Sequence, residues 1–431
     1  MQKVHFKAPN CWINDPNGFI WYKGYYHLFY QCFPYSTEWG RMHWGHAVSK
    51  DLVNFEEKGI ALFPSKTDDR SGCFSGSAVE YDDKMYLYYT GVNYIEEDPE
   101  NINHCLNDNF ISAQLMITSE DGMTFDNISD KKTIIPPIEE KNIGDKKHTR
   151  DPKVWRGKDA WYMVLGSSVN NKGRLLFYKS NDLKKWSYLN FSEKENFGWM
   201  WECPDYFEVD CNGIIVFSPM GFINDGKEYD SAAVCMLSKF DEMSGTINLP
   251  YEYSFFDYGL DLYAPQSTTD KDGNRIVIAW VRMPQAVNDK WNGMMCIPRI
   301  IEVKNNHIYF RPHTNVKDAF TKKISSPEKS GYMVKTSLKN GESINIGGYI
   351  IKREDDKIKT DRSDVFVKNG NYRLTAETPV LKDGYNLEIY VDENLIEIFI
   401  NDGEYVISNV VYGLSDTIIG EEYTLYTIEE E

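Results

Sequence analysis

Hydrophobic and polar positions in the first part of the chain repeat one pattern five times. Each copy begins with a polar residue, continues as a strand, turns at a short polar pair and returns as a strand rich in aromatic residues. Two such strands around a tight turn indicate a β-hairpin. The copies are NDPNGFIWYKGYYHLFYQ from Asn14, FSGSAVEYDDKMYLYYTG from Phe74, RDPKVWRGKDAWYMVLGSS from Arg150, ECPDYFEVDCNGIIVFSPMG from Glu202 and APQSTTDKDGNRIVIAWVR from Ala264. The predicted turns are Lys23–Gly24, Asp82–Asp83, Gly157–Lys158, Asn212–Gly213 and Asp272–Gly273.

A second pattern follows the first three copies. An apolar strand ends in Ser-x-Asp, and Phe or Trp comes after three further residues, as in SKDLVNF from Ser49, SEDGMTF from Ser119 and SNDLKKW from Ser180. A weaker form occurs near Ser238. This pattern indicates a second hairpin, so each unit would contain a four-stranded antiparallel sheet. Five such sheets predict an all-β fold, a five-bladed β-propeller, with an insertion at residues 94–109. A pair of stacked β-sandwiches is the alternative.

The character of the sequence changes after the fifth unit. We expect the propeller to span residues 1–312, a short helical or irregular linker to span 313–320, and a small C-terminal β-sandwich to span 321–431. The last region alternates regularly, as in NLEIYVDENLIEIFINDGEYVIS from Asn386, which predicts a meander of strands. It contains no cluster of His, Cys or paired acids, so we expect it to be structural or to flank a cleft.

Composition and charge narrow the range of partners. A formal net charge of −18 would repel nucleic acid and acidic membranes, so neither is expected, whereas a neutral sugar fits. The start MQKVHFKAPNCW lacks an apolar secretory segment, and no apolar run is long enough to span a membrane. The eight cysteines are scattered singly, which favours reduced thiols in the cytoplasm. Whether the chain forms a homo-oligomer stays open at this point.

His43 and His46, in HWGH, are the candidate pair of metal ligands. The stretch alternates like a strand, so two rings at this spacing would point to opposite faces of a sheet. A zinc site needs several ligands that converge on one point. We therefore expect no metal, and the chemistry below requires no organic cofactor.

Three of the five copies place a carboxyl group where their first strand begins: Asp15, Asp151 and Glu202. Because the inner strands of a propeller converge on its axis, we expect these acids to be equivalent in the repeat and to meet at the mouth of the central channel. Carboxylates that share a pocket raise the pKa of at least one of them. A neutral acid opposite a charged nucleophile is what a glycosidase needs. Structural alternatives exist, since Asp-Pro pairs begin turns and RDPK could form a surface ion pair.

Residues near these acids suit a sugar pocket. Aromatic rings can cover the C–H faces of a sugar, and polar side chains can bond its hydroxyl groups. Core packing is the alternative for any single Trp. The aromatic candidates are Trp12, Trp39, Trp44, Phe74, Trp199 and Trp201, with Trp39 and Trp280 favoured as ligand-facing, and the polar candidates are Asn14, Gln31, Ser75 and Arg150.

The motifs WINDPNG from Trp12, RDPKVW from Arg150 and ECPD from Glu202 stand in the order found in glycoside hydrolase family 32, the invertases and β-fructosidases, which the chain resembles over almost its whole length. The resemblance implies a five-bladed propeller followed by a β-sandwich. It also implies that Asp15 is the nucleophile, Asp151 the transition-state stabiliser and Glu202 the acid/base. The residues that it assigns to the terminal fructosyl unit are Asn14, Gln31, Trp39, Phe74, Ser75, Arg150, Cys203, Tyr263 and Trp280.

The predicted function is therefore hydrolysis of a terminal β-fructofuranosidic bond by a retaining double displacement. Candidate substrates are sucrose, sucrose 6-phosphate and short fructo-oligosaccharides. Lys146, Lys147 and His148 could meet a phosphate or could form a solvated loop. The sequence departs from the family at Cys32-Phe33-Pro34 and at Arg41, on the leaving-group side. The alternatives are a fructosyltransferase, an inverting furanosidase of the arabinan-cleaving propellers, and a carbohydrate-binding propeller without catalysis.

Overall fold

The computed structural model describes residues 5–7, 10–224, 226–229, 232–329, 331–381, 384–420 and 422–429. Residues 1–4, which form part of the N-terminal stretch considered above, lie outside the described residues. Five antiparallel sheets follow one another along the chain, and two further sheets lie after them. The predicted propeller followed by a sandwich is confirmed. No helix in the described part of the chain is long and apolar enough to cross a membrane.

Each of the first three blades is a sheet of four consecutive strands, to which the first blade adds a short fifth strand from later in the chain. Their strands are β1 (Cys11–Tyr22), β2 (Tyr25–Phe33), β3 (His43–Ser49), β4 (Phe55–Leu62), β5 (Gly72–Tyr81), β6 (Lys84–Tyr94), β7 (Phe110–Ser119), β8 (Lys132–Ile135), β9 (Arg150–Arg156), β10 (Trp161–Val169), β11 (Lys172–Ser180) and β12 (Ser187–Glu193). Two 3₁₀ turns, Thr67–Asp69 and Leu106–Asp108, lie between them.

The last two blades are less regular and carry short additional strands. Blade four pairs in the order β13-β14-β17-β20, and blade five in the order β21-β22-β25-β26. The strands are β13 (Met200–Val209), β14 (Asn212–Met220), β15 (Phe222–Asn224), β16 (Lys227–Tyr229), β17 (Val234–Leu237), β18 (Phe240–Asp241), β19 (Thr246–Ile247), β20 (Ser254–Phe255), β21 (Leu262–Thr269), β22 (Arg275–Val281), β23 (Trp291–Asn292), β24 (Met294–Met295), β25 (Arg299–Lys304) and β26 (His307–Pro312).

The first strand of each blade lies innermost. Strands β1, β5, β9, β13 and β21 contact one another in a ring around the axis. The ring is closed by β23, which leaves the fifth blade and pairs in parallel with β1 at Cys11 and Trp12. This pairing joins the last blade to the first, so the propeller leaves few exposed edges near the axis.

The Ser-x-Asp pattern forms the predicted turn after the third strand of each of the first three blades. Ser49, Ser119 and Ser180 donate through Oγ to Oδ1 of the aspartate two residues later, at 3.0, 2.9 and 3.1 Å. Each aspartate Oδ1 also accepts backbone N–H groups two and three residues further along. The side chain thus satisfies the donors that the turn leaves free.

One predicted turn is wrong. Strand β13 ends at Val209, and the chain turns at Asp210 and Cys211, which have φ of +49° and +67°. Gly213 already belongs to β14, where an added Cβ would lie 2.5 Å from the Ser238 carbonyl oxygen. Close approach of a neighbouring segment, and not a turn, explains this glycine.

A short helix, α1 (Thr314–Ala319), follows the propeller, and His313 caps it by accepting the Asn315 N–H at 3.1 Å. Two sheets follow, paired in the orders β27-β37-β28-β33-β34-β35 and β32-β31-β30-β29-β36. Their strands are β27 (Lys322–Ile324), β28 (Tyr332–Ser337), β29 (Ser343–Ile346), β30 (Tyr349–Glu354), β31 (Lys357–Asp361), β32 (Thr375–Glu377), β33 (Asn386–Asp392), β34 (Leu395–Ile400), β35 (Tyr405–Val410), β36 (Ile418–Ile419) and β37 (Tyr423–Thr427). Their facing side chains form a separate hydrophobic core.

A buried ionic network joins the propeller to the sandwich. Arg299 of β25 donates through Nη2 to Asp257 at 2.8 Å and to Glu397 of β34 at 2.6 Å. His5 bonds the other Glu397 oxygen at 2.9 Å and Asp392 at 3.2 Å. Burial would lower the pKa of His5, but its bonds and charge interactions with Asp392 and Glu397 outweigh burial and raise the pKa to about 9. His5 is therefore a cation at neutral pH.

We predict that His5→Gln destabilises the protein in a pH-dependent way. Because the folded-state pKa of His5 is raised from 6.5 to about 9, its stabilisation is complete below pH 6.5 and is lost as the pH rises through about 9. The free energy of unfolding, measured by urea titration, should fall by about 2–3 kcal/mol near neutral pH. The difference from wild type should shrink at high pH.

His307→Gln is the matched control for this prediction. The His307 ring bonds the backbone carbonyl oxygen of Glu404 at 2.7 Å, and that oxygen carries no charge. The free energy of unfolding of His307→Gln should differ from that of wild type by an amount that does not follow the pH dependence expected for His5→Gln. A His5→Gln difference that stayed constant up to high pH would contradict the charge assignment.

Candidate active site

Every inner strand contains a β-bulge at the same height along the axis. In each case two consecutive residues of the inner strand lie opposite one residue of the second strand. A bulge bends the strand and redirects its side chains. Here it brings Asn14, Asp15, Phe74, Ser75 and Asp151 to the lining of one cavity. The five bulge pairs are Asn14–Asp15, Phe74–Ser75, Asp151–Pro152, Cys203–Pro204 and Ala264–Pro265.

The first bulge residue has a left-handed backbone in the last three blades. Asp151, Cys203 and Ala264 have φ of +66°, +48° and +52°. This conformation destabilises a residue with a Cβ by roughly 1–2 kcal/mol, so the surrounding contacts must hold the backbone in place. Such strain concentrates at functional sites.

The three predicted acids are not equivalent in the repeat, which corrects the sequence analysis. Asp15 is the second bulge residue of its strand, Asp151 is the first of its own, and Glu202 directly precedes the bulge in β13. The structure nevertheless brings all three to the lining of one cavity of about 470 Å³, a volume in the usual range for a small ligand. The bulges orient neighbouring positions towards the same space.

The Asp15 side chain, from the first blade, contacts residues of the second and fourth blades. Ser75 Oγ donates to Asp15 Oδ2 at 2.5 Å, and Cys203 Sγ lies 3.4 Å from the same oxygen. Burial raises the pKa of Asp15; the Ser75 hydrogen bond opposes this rise, and the charge of Glu202 adds to it. A hydroxyl donor stabilises the ionised form, which is the form able to act as a nucleophile.

Asp151 is buried and is held by both its backbone and its side chain. Its N–H donates to Thr90 Oγ1 at 2.8 Å, and its Oδ2 accepts the Cys203 N–H at 2.9 Å. Burial raises the pKa of Asp151 to about 7; Arg150 opposes this rise, and Glu202 adds to it. Asp151 therefore exchanges a proton near neutral pH, because it is buried beside a second carboxyl group.

Glu202 has a partner on each carboxylate oxygen. Arg150 donates to Oε1 through Nε at 3.1 Å and through Nη2 at 2.7 Å. Tyr263 donates its hydroxyl to Oε2 at 2.5 Å. Arg150 on one oxygen and Tyr263 on the other together hold the orientation of the carboxylate.

The twelve residues that the family resemblance assigned fall into two groups. Nine line the cavity: Asn14, Asp15, Gln31, Trp39, Phe74, Ser75, Arg150, Asp151 and Glu202. Three do not line it, and they differ in what they touch. Cys203 contacts Asp15 and Asp151, and Tyr263 bonds Glu202, so both support the acids. Trp280 is buried behind Tyr263 and packs edge-on against it and against Trp12. Its strand pairing with Tyr263 places it one layer outside the cavity, so its predicted sugar contact receives no support.

Part of the cavity wall was not assigned from the sequence. Most of these residues come from the insertion at residues 94–109, which had been noted only as an irregularity of the repeat. Its position directly after β6, whose end faces the mouth, is the signal that would have found them. The added lining residues are Val92, Tyr94, His104, Cys105, Asp108, Phe110 and Met220. Trp199, predicted above as an aromatic residue of the sugar pocket, and His148, considered above as a phosphate contact, also line the cavity.

Aromatic rings flank the carboxyl groups on two sides. Trp39 stands edge-on to Phe74, with ring centroids 5.9 Å apart. On the other side Trp199 stands edge-on to His148 at 5.1 Å. Apolar walls around a few convergent polar groups suit a ring-shaped polar ligand. Carboxyl groups gathered within such walls are the arrangement that a glycoside hydrolase uses.

Comparison with known proteins supports this class. The family model described as the glycosyl hydrolases family 32 N-terminal domain matches residues 5–312, and the model of the family 32 C-terminal domain matches residues 312–424. Sucrose-6-phosphate hydrolase of Bacillus subtilis (strain 168) is 31% identical, over 94% of this chain and 88% of the relative. Raffinose invertase of Escherichia coli is 30% identical, over 96% and 90% of the two chains.

Solved structures agree with the sequence relatives. Sucrose-6-phosphate hydrolase from Lactobacillus gasseri superposes with a TM-score of 0.87 at 26% identity, over 99% of this chain and 93% of the other. A Bombyx mori family 32 β-fructofuranosidase mutant in complex with sucrose gives 0.82 at 28% identity, over 98% and 92%. The chain belongs to glycosyl hydrolases family 32. The predicted glycoside hydrolase and β-fructosidase classes are confirmed at this level.

We predict that Cys203 resists alkylation in the folded protein. Burial raises the pKa of its thiol well above the ordinary value, and the charges of Asp15, Asp151 and Glu202 raise it further, so little of the reactive thiolate forms. Cys211, exposed in the turn after the same strand, is the internal control. Iodoacetamide at neutral pH should label Cys211 first, as followed by peptide mass spectrometry.

Unfolded protein should lose this selectivity, because the carboxyl groups no longer surround Cys203. Equal labelling of the two cysteines in the folded protein would show that the three acids do not converge on this thiol.

Proposed function

We propose that the protein hydrolyses the β-fructofuranosidic bond of a sucrose-type disaccharide with retention, and that its preferred substrate is sucrose 6-phosphate. One observation carries the assignment of residues. A single cavity collects Asp15, Asp151 and Glu202, with separate sets of hydrogen-bond donors around them. The differing partners assign them different tasks, as a double displacement requires.

The first step breaks the bond between fructose C2 and the leaving oxygen. Asp15, in its ionised form and with the Ser75 hydroxyl bonded to its Oδ2, attacks C2, while Glu202 gives its proton to the leaving oxygen. The product is a fructosyl ester of Asp15 and a free leaving sugar. Asp151 bonds fructose hydroxyl groups and stabilises the positive charge that develops on the ring.

In the second step Glu202 acts as a base, after acting as an acid in the first. Its carboxylate takes a proton from water, the water oxygen bonds to C2, and the ester bond to Asp15 breaks. Arg150 and Tyr263 keep the Glu202 carboxylate in one plane through both steps. A sugar in place of water would give transfer, so hydrolysis depends on water reaching the emptied leaving-group side.

Basic residues beside the cavity support a phosphorylated substrate. His148 lines the cavity and bonds Asp108 Oδ2 at 3.2 Å, and Lys147 Nζ lies 3.6 Å from the same oxygen. His104, from the insertion, also lines the cavity. A phosphate could replace Asp108 as the partner of Lys147 and His148. Relatives from Bacillus subtilis and Escherichia coli named sucrose-6-phosphate hydrolase support the same substrate.

The eight cysteines are all free, and we propose a cytoplasmic location on this ground. A phosphorylated disaccharide would carry too much charge to cross a membrane unaided, so an enzyme that uses it must work where it is formed.

We predict that Asp15→Asn and Glu202→Gln abolish most turnover without unfolding the protein. Loss of the acid/base should lower kcat by roughly 10²–10⁴-fold, and loss of the nucleophile should remove the covalent step altogether. Fructose release measures activity, and thermal unfolding checks the fold. NMR of the wild-type reaction should show the β anomer of fructose first.

Asp210→Asn is the matched control, because Asp210 is exposed in the turn at the far end of the Glu202 strand and Asn tolerates its φ of +49°. It should keep wild-type turnover. Wild-type turnover in Asp15→Asn, or the α anomer appearing first, would contradict the mechanism.

We predict that kcat/KM is higher for sucrose 6-phosphate than for sucrose, and that Lys147→Met removes this preference. Loss of one charge-assisted bond should lower kcat/KM on the phosphorylated substrate by about 10-fold or more, with little change on sucrose. Lys146→Met is the control, since Lys146 is exposed, whereas Lys147 is paired with Asp108, a residue of the cavity lining. Equal losses on both substrates would contradict phosphate recognition by Lys147.

A further inference from the structure

Two buried polar side chains behind the cavity hold the backbone on both sides of Arg150. Thr90 of β6 and Gln114 of β7 lie opposite each other in the second blade. Thr90 Oγ1 accepts the Asp151 N–H at 2.8 Å, and its hydroxyl donates to Gln114 Oε1 at 2.8 Å. Gln114 Nε2 then donates to the Thr149 carbonyl oxygen at 2.9 Å.

This chain of bonds leaves little freedom. The Thr90 hydroxyl hydrogen is committed to Gln114, so an oxygen lone pair faces the Asp151 N–H. Gln114 uses its carbonyl oxygen for Thr90 and its amide for Thr149. Thr90 and Gln114 are 0% and 1% exposed, so water does not compete for these bonds. Satisfied polar networks in such surroundings are rigid.

The clamped segment carries two parts of the proposed machinery. Asp151 is the strained bulge residue with φ of +66°, and Arg150 is the residue that orients Glu202. Release of the Asp151 N–H would let this backbone relax, because the left-handed conformation is unfavourable for a residue with a Cβ. Such a relaxation would move the Asp151 carboxylate and rotate the Arg150 side chain away from Glu202.

We propose that Thr90 and Gln114 are positioning residues, which hold Asp151 and Arg150 in the geometry for catalysis while touching neither the substrate nor the reacting atoms. The inference rests on the proposed function, because it assumes that Asp151 and Glu202 act in the reaction. Neither Thr90 nor Gln114 lines the cavity. Because Asp151 stabilises charge that develops in the transition state and Arg150 orients the acid/base Glu202, their effect should appear in kcat more than in KM.

The test replaces each member of the clamp by a side chain of similar size. Thr90→Val removes both the acceptor for Asp151 and the donor to Gln114, and Gln114→Met removes the link to Thr149 but leaves Thr90 in place. Each should lower kcat by about 10- to 100-fold with little change in KM, since small misplacements of catalytic groups have effects of this size. Thr90→Ser keeps the hydroxyl and should restore most of kcat.

The double variant supplies the sharpest readout. If the two residues act through one chain of bonds, Thr90→Val combined with Gln114→Met should be little worse in kcat than either single variant. Multiplied losses would mean that they act separately, which overturns the clamp. Unchanged kcat in both single variants would also overturn it. If Thr90→Val does not fold, Gln114→Met and Thr90→Ser still decide the matter.

Ser192→Ala controls for a general loss of stability. Ser192, on the outer strand β12, is buried. Its hydroxyl donates to the Ile247 carbonyl oxygen at 2.7 Å, and its Oγ accepts the Ile247 N–H at 3.0 Å. It should lower the unfolding temperature while leaving kcat, KM and the pH profile unchanged. A comparable fall in kcat for Ser192→Ala would show that the clamp variants report stability only.

The outcomes separate this inference from the proposed function. An inactive Asp15→Asn with fully active Thr90→Val and Gln114→Met would defeat the positioning role alone. An active Asp15→Asn would defeat the mechanism itself, whatever the clamp variants do.

Discussion

The active site depends on one constraint of the backbone: every inner strand must bulge at the same height. A regular strand alternates its side chains between two faces and would send half of the relevant residues into the blade interior. The bulge interrupts this alternation, so adjacent positions such as Asn14 and Asp15, or Glu202 and Cys203, can both contribute to the site. Pairing of β23 with β1 closes the ring that holds the five bulges together.

The bulges are unfavourable by themselves, and the contacts around the acids offset this. Asp151 and Cys203 each lose roughly 1–2 kcal/mol in a left-handed backbone. A hydrogen bond contributes about 0.5–1.5 kcal/mol, and about 1.5–3 kcal/mol when its acceptor is ionised; the Cys203 N–H to Asp151 Oδ2 is a bond of this kind. This one bond gives a partner both to the N–H of the strained residue Cys203 and to the buried carboxyl group of Asp151. The same atoms therefore hold the bulge and stabilise the carboxyl group.

Much of this arrangement could be predicted from the sequence, because hairpin turns, Ser-x-Asp pairs and repeated strands are local signals. The convergence of Asp15, Asp151 and Glu202 followed from the propeller alone. Their actual stagger within the bulges did not, because bulge register depends on inter-strand pairing that no local motif records. The same limitation misplaced the turn at Gly213, where a neighbouring segment and not a turn requires the glycine.

Residues outside the repeat were the hardest to predict, and they form the wall that should distinguish substrates. The insertion at residues 94–109 contributes His104 and Asp108 to the cavity. Arg41, one of the departures from the family pattern, bonds this insertion through Glu97 at 2.8 Å and through the Ile102 carbonyl at 2.9 Å. The two irregularities of the sequence are therefore one structural feature. Because the acids sit on rigid inner strands and this wall sits on a loop, the loop can change leaving-group preference while the reaction stays the same.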